Sequence, residues 1–291
     1  MNIGITGASG FIGRVVLDRA LRRGHEVIAF SRRPERGIPG CEMRRFSLER
    51  PPDLTGCDAV IHLAAENVAG LWTPAKKRRI RETRVQGTRR VAEAFAAAAH
   101  PPEVLVSGSA IGFYGDSGDR ELTETAPPGA GFLAETVQAW EHEATRVTNA
   151  RVVLLRHGIV LGAKGGALRF MAPIFRAGLG GQIADGRQWV SWIHLEDAAA
   201  LALFAVEDLN VRGPVNSCAP WPVRNADFTR ALAQAVRRPA FFRVPAFALR
   251  VLGDFSEELL HSKRVLPQAA LDDGFQFRFP ELPAALAHLL P

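Results

Sequence analysis

The amino-acid sequence predicts an α/β protein: a doubly wound parallel sheet with a smaller C-terminal lobe. Three observations carry that expectation. Apolar runs alternate with segments of helical periodicity across the first 157 residues, the pattern of a parallel sheet covered by helices on both faces. A glycine-rich turn, Gly7-Ala8-Ser9-Gly10-Phe11-Ile12-Gly13, joins the first run to the first helical segment. Beyond residue 157 the texture changes, and the stretch 158–194 carries eight glycines and no long repeat of strand and helix.

Residues 2–6 (NIGIT) read as a strand, and Ile12, Val16 and Ala20, with Leu17 and Leu21, recur at helical spacing after the turn. Gly24 stops that helix and residues 25–31 form a second strand, closing a βαβ unit whose crossover is right-handed. A short strand follows within 41–48. DAVIHLAA (58–65) is almost continuously apolar, as a strand buried on both faces requires. A helix is expected over 73–99, a strand over 103–109, a helix over 132–147 and a strand over 151–157. Helix 195–207 and a strand in GPVNSC (213–218) return the chain to the main sheet. Residues 227–239 form another helix, and short helices fill the tail from Phe241. The expected division is a cofactor domain of 1–157 plus about 191–217, and a substrate-binding lobe of 158–190 and 218–291.

Each glycine of the turn has a physical task. Gly7 permits the tight turn, Gly10 lets a pyrophosphate approach the backbone, and Gly13 lets the helix pack close to the sheet. The unpaired N–H groups of the first helical turn, with Ser9, Phe11 and Ile12 at its start, then face the phosphates. Strand before and helix after make this a dinucleotide site. Its second strand ends in Ser31-Arg32-Arg33, with no carboxylate before Glu35. A carboxylate there would hold the ribose of NAD, whereas arginine accommodates the 2′-phosphate of NADP, so NADP(H) is expected. The alternative is a pair of solvated arginines. Ligands lie beyond the carboxyl ends of such strands, which puts Leu63, Ala64, Ala65, Glu66 and Asn67 beside the cofactor.

In helix 73–99 the stripe Ile80, Arg84, Gly87, Val91, Phe95 puts Arg84 on the apolar face, where an unpaired charge is costly. A cofactor phosphate or a nearby carboxylate would partner it, unless it snorkels to solvent. The basic run KKRRIRETR (76–84) reads as a solvated helix face rather than a nucleic-acid surface, because Glu82 interrupts it.

The chain has 291 residues, 47% hydrophobic and 23% charged, enough to bury a full core. Lysine occurs only at 76, 77, 164 and 263, so the +6 net charge is carried by arginine and reads as compositional bias. Cys41, Cys57 and Cys218 form no CxxC pair and no disulfide framework. The histidines and cysteines have no metal-ligand spacing. The start lacks a basic-then-apolar signal, and no apolar run has membrane-spanning length. A cytoplasmic protein with a small-molecule substrate, no nucleic acid and no membrane is expected, with oligomeric state open.

The segments TGASGFIG (6–13), HLAAEN (62–67), W-x(3)-KK (72–77), SAIGFYGDSGDRELTE (109–124), FLAE (132–135), LRHGIVLG (155–162), GRQWVSWIHLED (186–197) and GFQFRFPEL (274–282) span nearly the whole chain. Together they resemble the extended short-chain dehydrogenase/reductases, in particular the atypical sugar-nucleotide epimerase-like branch with its small C-terminal domain. The resemblance implies a Rossmann domain binding NADP(H) through Ser31, Arg32, Leu63, Ala64 and Arg84, with the lobe closing over a substrate cleft. It implies an epimerase- or oxidoreductase-like protein acting on a hydroxyl- or carbonyl-bearing small molecule such as a nucleotide sugar.

The chain departs from the superfamily where a tyrosine followed four residues later by lysine relays the proton. It reads Phe132-Leu133-Ala134-Glu135-Thr136 there. The alternative function is therefore an NADP(H)-binding sensor with reduced catalysis. The remaining catalytic candidates are Ser109, matching the superfamily serine, and the sole tyrosine, Tyr114, with Glu66, Trp72 and His194 as possible pocket residues. Alternatively Ser109 is a strand-end hydroxyl bonded to backbone, Tyr114 an aromatic plug under its loop, Glu66 a structural cap and His194 a hinge residue. With no lysine nearby, Tyr114 is expected to keep a pKa of about 10. If Arg32 faces the 2′-phosphate, NADPH should bind at least about tenfold more tightly than NADH, as a charge-assisted bond provides. Fluorescence titration of both cofactors against wild type and Arg32→Ala checks this, and equal affinities in the wild type would refute it.

Overall fold

The computed structural model describes residues 1–290; Pro291, the end of the expected lobe, lies outside them. Strands β1 (Asn2–Thr6), β2 (Glu26–Ser31), β3 (Glu42–Arg45), β4 (Ala59–His62), β5 (Val104–Ala110), β6 (Arg151–His157) and β7 (Gly213–Ser217) form one sheet. Its order is β7-β6-β5-β4-β1-β2-β3, and every neighbouring pair is parallel. The chain winds outward from β1 to β3, then returns to β4 and continues the other way. The switch point between β1 and β4 is where such sheets open a crevice for ligands.

Helices α1 (Phe11–Arg22) and α5 (Leu195–Glu207) cover one face, and α2 (Pro74–Ala97) and α3 (Phe132–Ala144) cover the other. Val16, Leu17 and Ala20 of α1 share a buried cluster with Ile3, Ile5, Ile61 and the inner face of α5. Val91 and Phe95 of α2 pack with Phe30, Val60 and Leu105 on the opposite side. The predicted stripe of α2 therefore faces the sheet. The helix starts where expected: Pro74 occupies its first turn, and the Thr73 side chain accepts the Lys76 N–H. No helix among the described residues is long and apolar enough to cross a membrane.

The glycine-rich stretch holds a helix the sequence did not predict, α4 (Leu168–Arg176). Leu168, Ala172 and Phe175 bury one face of it, but nine residues with an internal proline give too short a periodic signal. These side chains join α6 (Asn225–Ala235) and the C-terminal helix (Leu282–Leu289) in a second core around Trp192. Ala270 and Phe275, in the segment assigned to the lobe, pack instead with the core of the main sheet.

The start of α5 ties the two cores together. The Asp197 carboxylate is buried and accepts the N–H groups of Arg278 (3.0 Å) and Phe279 (2.9 Å). His194 Nδ1 accepts the Glu196 N–H (3.0 Å), so Nε2 carries the ring proton and donates to His288 Nδ1 (3.1 Å). Burial pulls the His194 pKa down to about 4, and its ring stacks on Phe279 with 4.0 Å between centroids. Both ring nitrogens of His194 are thus occupied by protein partners. Asp197→Ala leaves two backbone donors unpaired and should lower unfolding stability by about 1–3 kcal/mol. Urea denaturation checks this, with Asp197→Asn losing less because one acceptor remains.

Candidate functional site

The glycine loop is held by close approach of its own backbone. Gly7 has φ +72°, and a Cβ on it would lie 2.9 Å from Ala64 N. A Cβ on Gly13 would lie 2.2 Å from Gly7 O, so α1 passes directly over the turn only because residue 13 has no side chain. Gly10 N donates to Gly7 O at 2.8 Å, and a Cβ there would come within 2.9 Å of the same oxygen. Gly10 therefore shapes the loop itself as well as leaving room for a phosphate. No side chain caps α1, no acidic residue sits in its first turn, and Ser9 and Gly10 are exposed at its mouth. Ile12 leans on the sheet core, and the Phe11 ring lies against Gly162, Gly165 and Gly166.

Beneath the loop, Thr6 Oγ1 accepts the N–H groups of Leu63 (3.1 Å) and Ala64 (3.2 Å). Its hydroxyl proton is then directed to His62 Nδ1 (2.6 Å), and His62 Nε2–H donates to Thr88 Oγ1 (3.1 Å). Burial holds His62 neutral, with a pKa near 4. This relay sets the ends of β1 and β4 where a dinucleotide would cross, and sequence reasoning missed it. A histidine inside an apolar strand was its only signal.

Four cations gather around Glu66. Lys76 bonds its carboxylate at 2.7 Å and Arg79 lies 3.9 Å away. Lys76 above all, with Arg79 and Arg32 adding, holds the carboxyl below the usual range. The Glu66 carbonyl accepts Arg84 Nη1 at 2.9 Å. Arg84 sits on the predicted face and bonds only carbonyls, those of Glu66 and Ile80. Burial pulls its pKa down to about 10. Its guanidinium lies 5.1 Å from the Trp140 ring, whose own Nε1 is buried without a partner. Ser31 Oγ accepts the Arg33 N–H, Arg32 is exposed beside it, and Ala65 faces solvent. Of the basic run, Lys76, Lys77 and Arg84 all have protein partners, so the run is less solvated than the sequence indicated. The cradle and the surplus of cations fit a phosphorylated dinucleotide.

The two catalytic candidates are placed elsewhere. Tyr114 is 1% exposed, donates to Asn216 Oδ1 (2.7 Å) and accepts Arg156 Nη1 (2.9 Å). Ser109 is buried and donates to Glu141 Oε1 at 2.5 Å. Arg156 grips both Glu141 oxygens at 2.8 Å, so one buried network consumes both hydroxyls. Tyr114 is thus buried under its loop, and Ser109 bonds a side chain rather than backbone. Burial also pushes the Tyr114 pKa up to about 12 against the pull of Arg156, above the value expected from sequence. At the start of α3, Phe132 packs edge-on to Trp72, which is itself buried.

Residues 3–216 match the NAD-dependent epimerase/dehydratase family, and residues 244–289 match a C-terminal domain of unknown function, DUF1731. The chain belongs to the NAD-dependent epimerase/dehydratase family. The epimerase family protein YfhF of Bacillus subtilis is 35% identical over 298 residues, covering 100% of this chain and 98% of its own. Human epimerase family protein SDR39U1, crystallised with NADPH, superposes with a TM-score of 0.91 at 32% identity, covering 100% of this chain and 99% of that one. A nucleoside-diphosphate sugar epimerase from Corynebacterium glutamicum gives a TM-score of 0.82 at 33% identity, this chain spanning 58% of it. Within an epimerase-family fold, then, this chain uses its only tyrosine as a structural strut.

That strut has a spectroscopic signature. Tyrosinate absorbance in the native protein should appear with a midpoint near pH 12, against about 10 for free tyrosine. The raised pKa means this contribution to stability is complete below about pH 10 and is lost as pH rises toward 12. A native midpoint at the free value would refute the buried placement.

Proposed function

We propose that this protein binds NADP(H) in the glycine cradle and carries out hydride chemistry on a hydroxyl- or carbonyl-bearing small molecule held under its C-terminal lobe. The observation that supports this most directly is Arg84, a largely desolvated cation that shares the one Glu66 carboxylate with three others and whose hydrogen bonds, among the described residues, go only to carbonyls. Such a group costs free energy unless an anion completes it. Gly7, Ser9, Gly10, Phe11, Ile12 and Gly13 would form the pyrophosphate cradle, with Leu63, Ala64 and Ala65 lining the dinucleotide's path. Ser31 and Arg32 would hold the 2′-phosphate, with Glu66 orienting the neighbouring cations. When bound, the nicotinamide supplies or accepts the hydride. The segments 158–190 and 218–291 would supply the rest of the substrate cleft. A nucleotide sugar is the substrate class in keeping with the sugar epimerase of Corynebacterium glutamicum.

A second reading, an NADP(H) sensor, is favoured by one specific observation. Tyr114 and Ser109 are both committed to the buried network, and Phe132 and Thr136 stand where the superfamily's tyrosine and lysine would be. NADPH oxidation followed by absorbance across sugar nucleotides, aldehydes and quinones separates the two. Turnover supports the enzyme; tight cofactor binding with none supports the sensor. Arg84→Met keeps most of the side-chain volume and removes the donors. It should weaken NADPH binding by about 1.5–3 kcal/mol, the range for bonds to charged groups. An unchanged dissociation constant would remove Arg84 from the cofactor site.

A further inference from the structure

Two segments of the C-terminal lobe are joined into one surface. Helix α4 runs on through Leu179, whose N–H bonds Ile174 O at 3.1 Å, into the strand Gly181–Ile183. That strand pairs in parallel with Phe242–Val244, Gly181 opposite Phe242, and Arg238 Nε donates to Arg176 O at 3.2 Å. Leu168, Ala172 and Phe175 turn the inner side of α4 to the second core, which leaves Phe170 and Ile174 outside, 56% and 51% exposed. Leu179, Phe241, Phe242 and Phe247 continue the patch, and Phe241 and Phe247 are 87% and 70% exposed. These six are nearly half of the large hydrophobic side chains exposed among the described residues, yet the two segments, 168–184 and 236–249, are a small part of the chain. Scattered exposed apolar residues are ordinary, whereas a group of this kind marks a docking surface.

The charge on the same segments says what docks there. They contain five arginines, at 169, 176, 237, 238 and 243, and no aspartate or glutamate. All five are exposed, and none forms an ion pair among the described residues. Arg237 stands just past α6 at φ +55°, a left-handed conformation that is costly for any residue but glycine. A second copy docking face to face would set these arginines against their own counterparts with no carboxylate between them. A protein partner would need pockets matched to the protruding rings. A bilayer needs none, because each ring enters the boundary between headgroups and acyl chains separately while anionic headgroups answer the arginines. A surface that lies on a bilayer requires no spanning helix, so the lack of one among the described residues is no obstacle.

We propose that this face docks on an anionic lipid bilayer, with Phe241 and Phe247 inserted and the five arginines at headgroup level. The inference goes beyond the proposed function and does not depend on it.

Co-sedimentation of the full chain with vesicles of phosphatidylcholine containing about one-third phosphatidylglycerol tests this. Binding should be at least about tenfold tighter than to phosphatidylcholine alone, and should weaken as salt is raised. Arg237→Gln combined with Arg243→Gln should weaken it about tenfold or more, since each cation near such a surface is worth about fivefold. Phe241→Ser combined with Phe247→Ser keeps every charge and should also weaken it about tenfold or more. Hydrogen exchange of the wild-type chain gives a reading that no folding defect of a variant can distort: the amides of 241–249 should exchange more slowly once the anionic vesicles are added. No binding to those vesicles, or full binding by either double variant, would overturn the proposal. So would equal slowing by polyglutamate, which would give the face to an acidic protein, or slowing on raising the protein concentration alone, which would give it to a second copy.

Discussion

The approach of Gly13 to the Gly7 carbonyl is the constraint on which the carboxyl edge of the sheet depends. With 2.2 Å between that oxygen and any Cβ at position 13, a side chain there would push α1 away from β1. The helix axis would then no longer point its free N–H groups across the switch point. The same oxygen accepts the Gly10 N–H, so one carbonyl organises the whole turn. Thr6, one residue earlier, extends that order sideways by gathering Leu63 and Ala64 onto β1. The cradle is therefore built almost entirely of backbone, which is why small residues dominate it.

A second polar system lies behind β5 and does different work. Arg156 spends its donors on Glu141, Tyr114 and the Glu124 carbonyl, and its guanidinium lies 3.6 Å from the Phe113 ring centroid. A buried ion pair is tolerated only when its remaining valences are met, and here Ser109, Tyr114 and Asn216 meet them. The Ser109 and Tyr114 hydroxyls complete the hydrogen bonding around this buried salt bridge. The loop after β5 is fixed by that bridge, and α3 with its leading Phe132 is positioned by the same Glu141.

The lobe meets the cofactor loop through shape rather than charge. The Phe11 ring fills the space left by Gly162, Gly165 and Gly166, so side chains at those positions would displace it. On the other side, Trp72 and Phe255 make the corresponding contact.

All seven sheet strands and the main helices were legible because their signals are local. A parallel strand buried on both faces is a continuous apolar run, and a glycine turn before a helix states its own geometry. The position of Arg84 on the apolar face of α2 was legible for the same reason. Helix α4 was not, because a proline and a span of nine residues leave too few repeats to read. The roles of Tyr114 and Ser109 were beyond sequence reasoning for a stronger reason. Tyr114 finds Arg156 and Asn216 at separations of 42 and 102 residues, and Ser109 finds Glu141 at 32. By itself the sequence determined the sheet, the glycine turn and the position of Arg84 on the inner face of α2, which follow from neighbours along the chain. Only the tertiary structure decided that the Ser109 and Tyr114 hydroxyls are sealed in a buried network. A side chain's accessibility and pKa depend on partners and burial that distant segments supply.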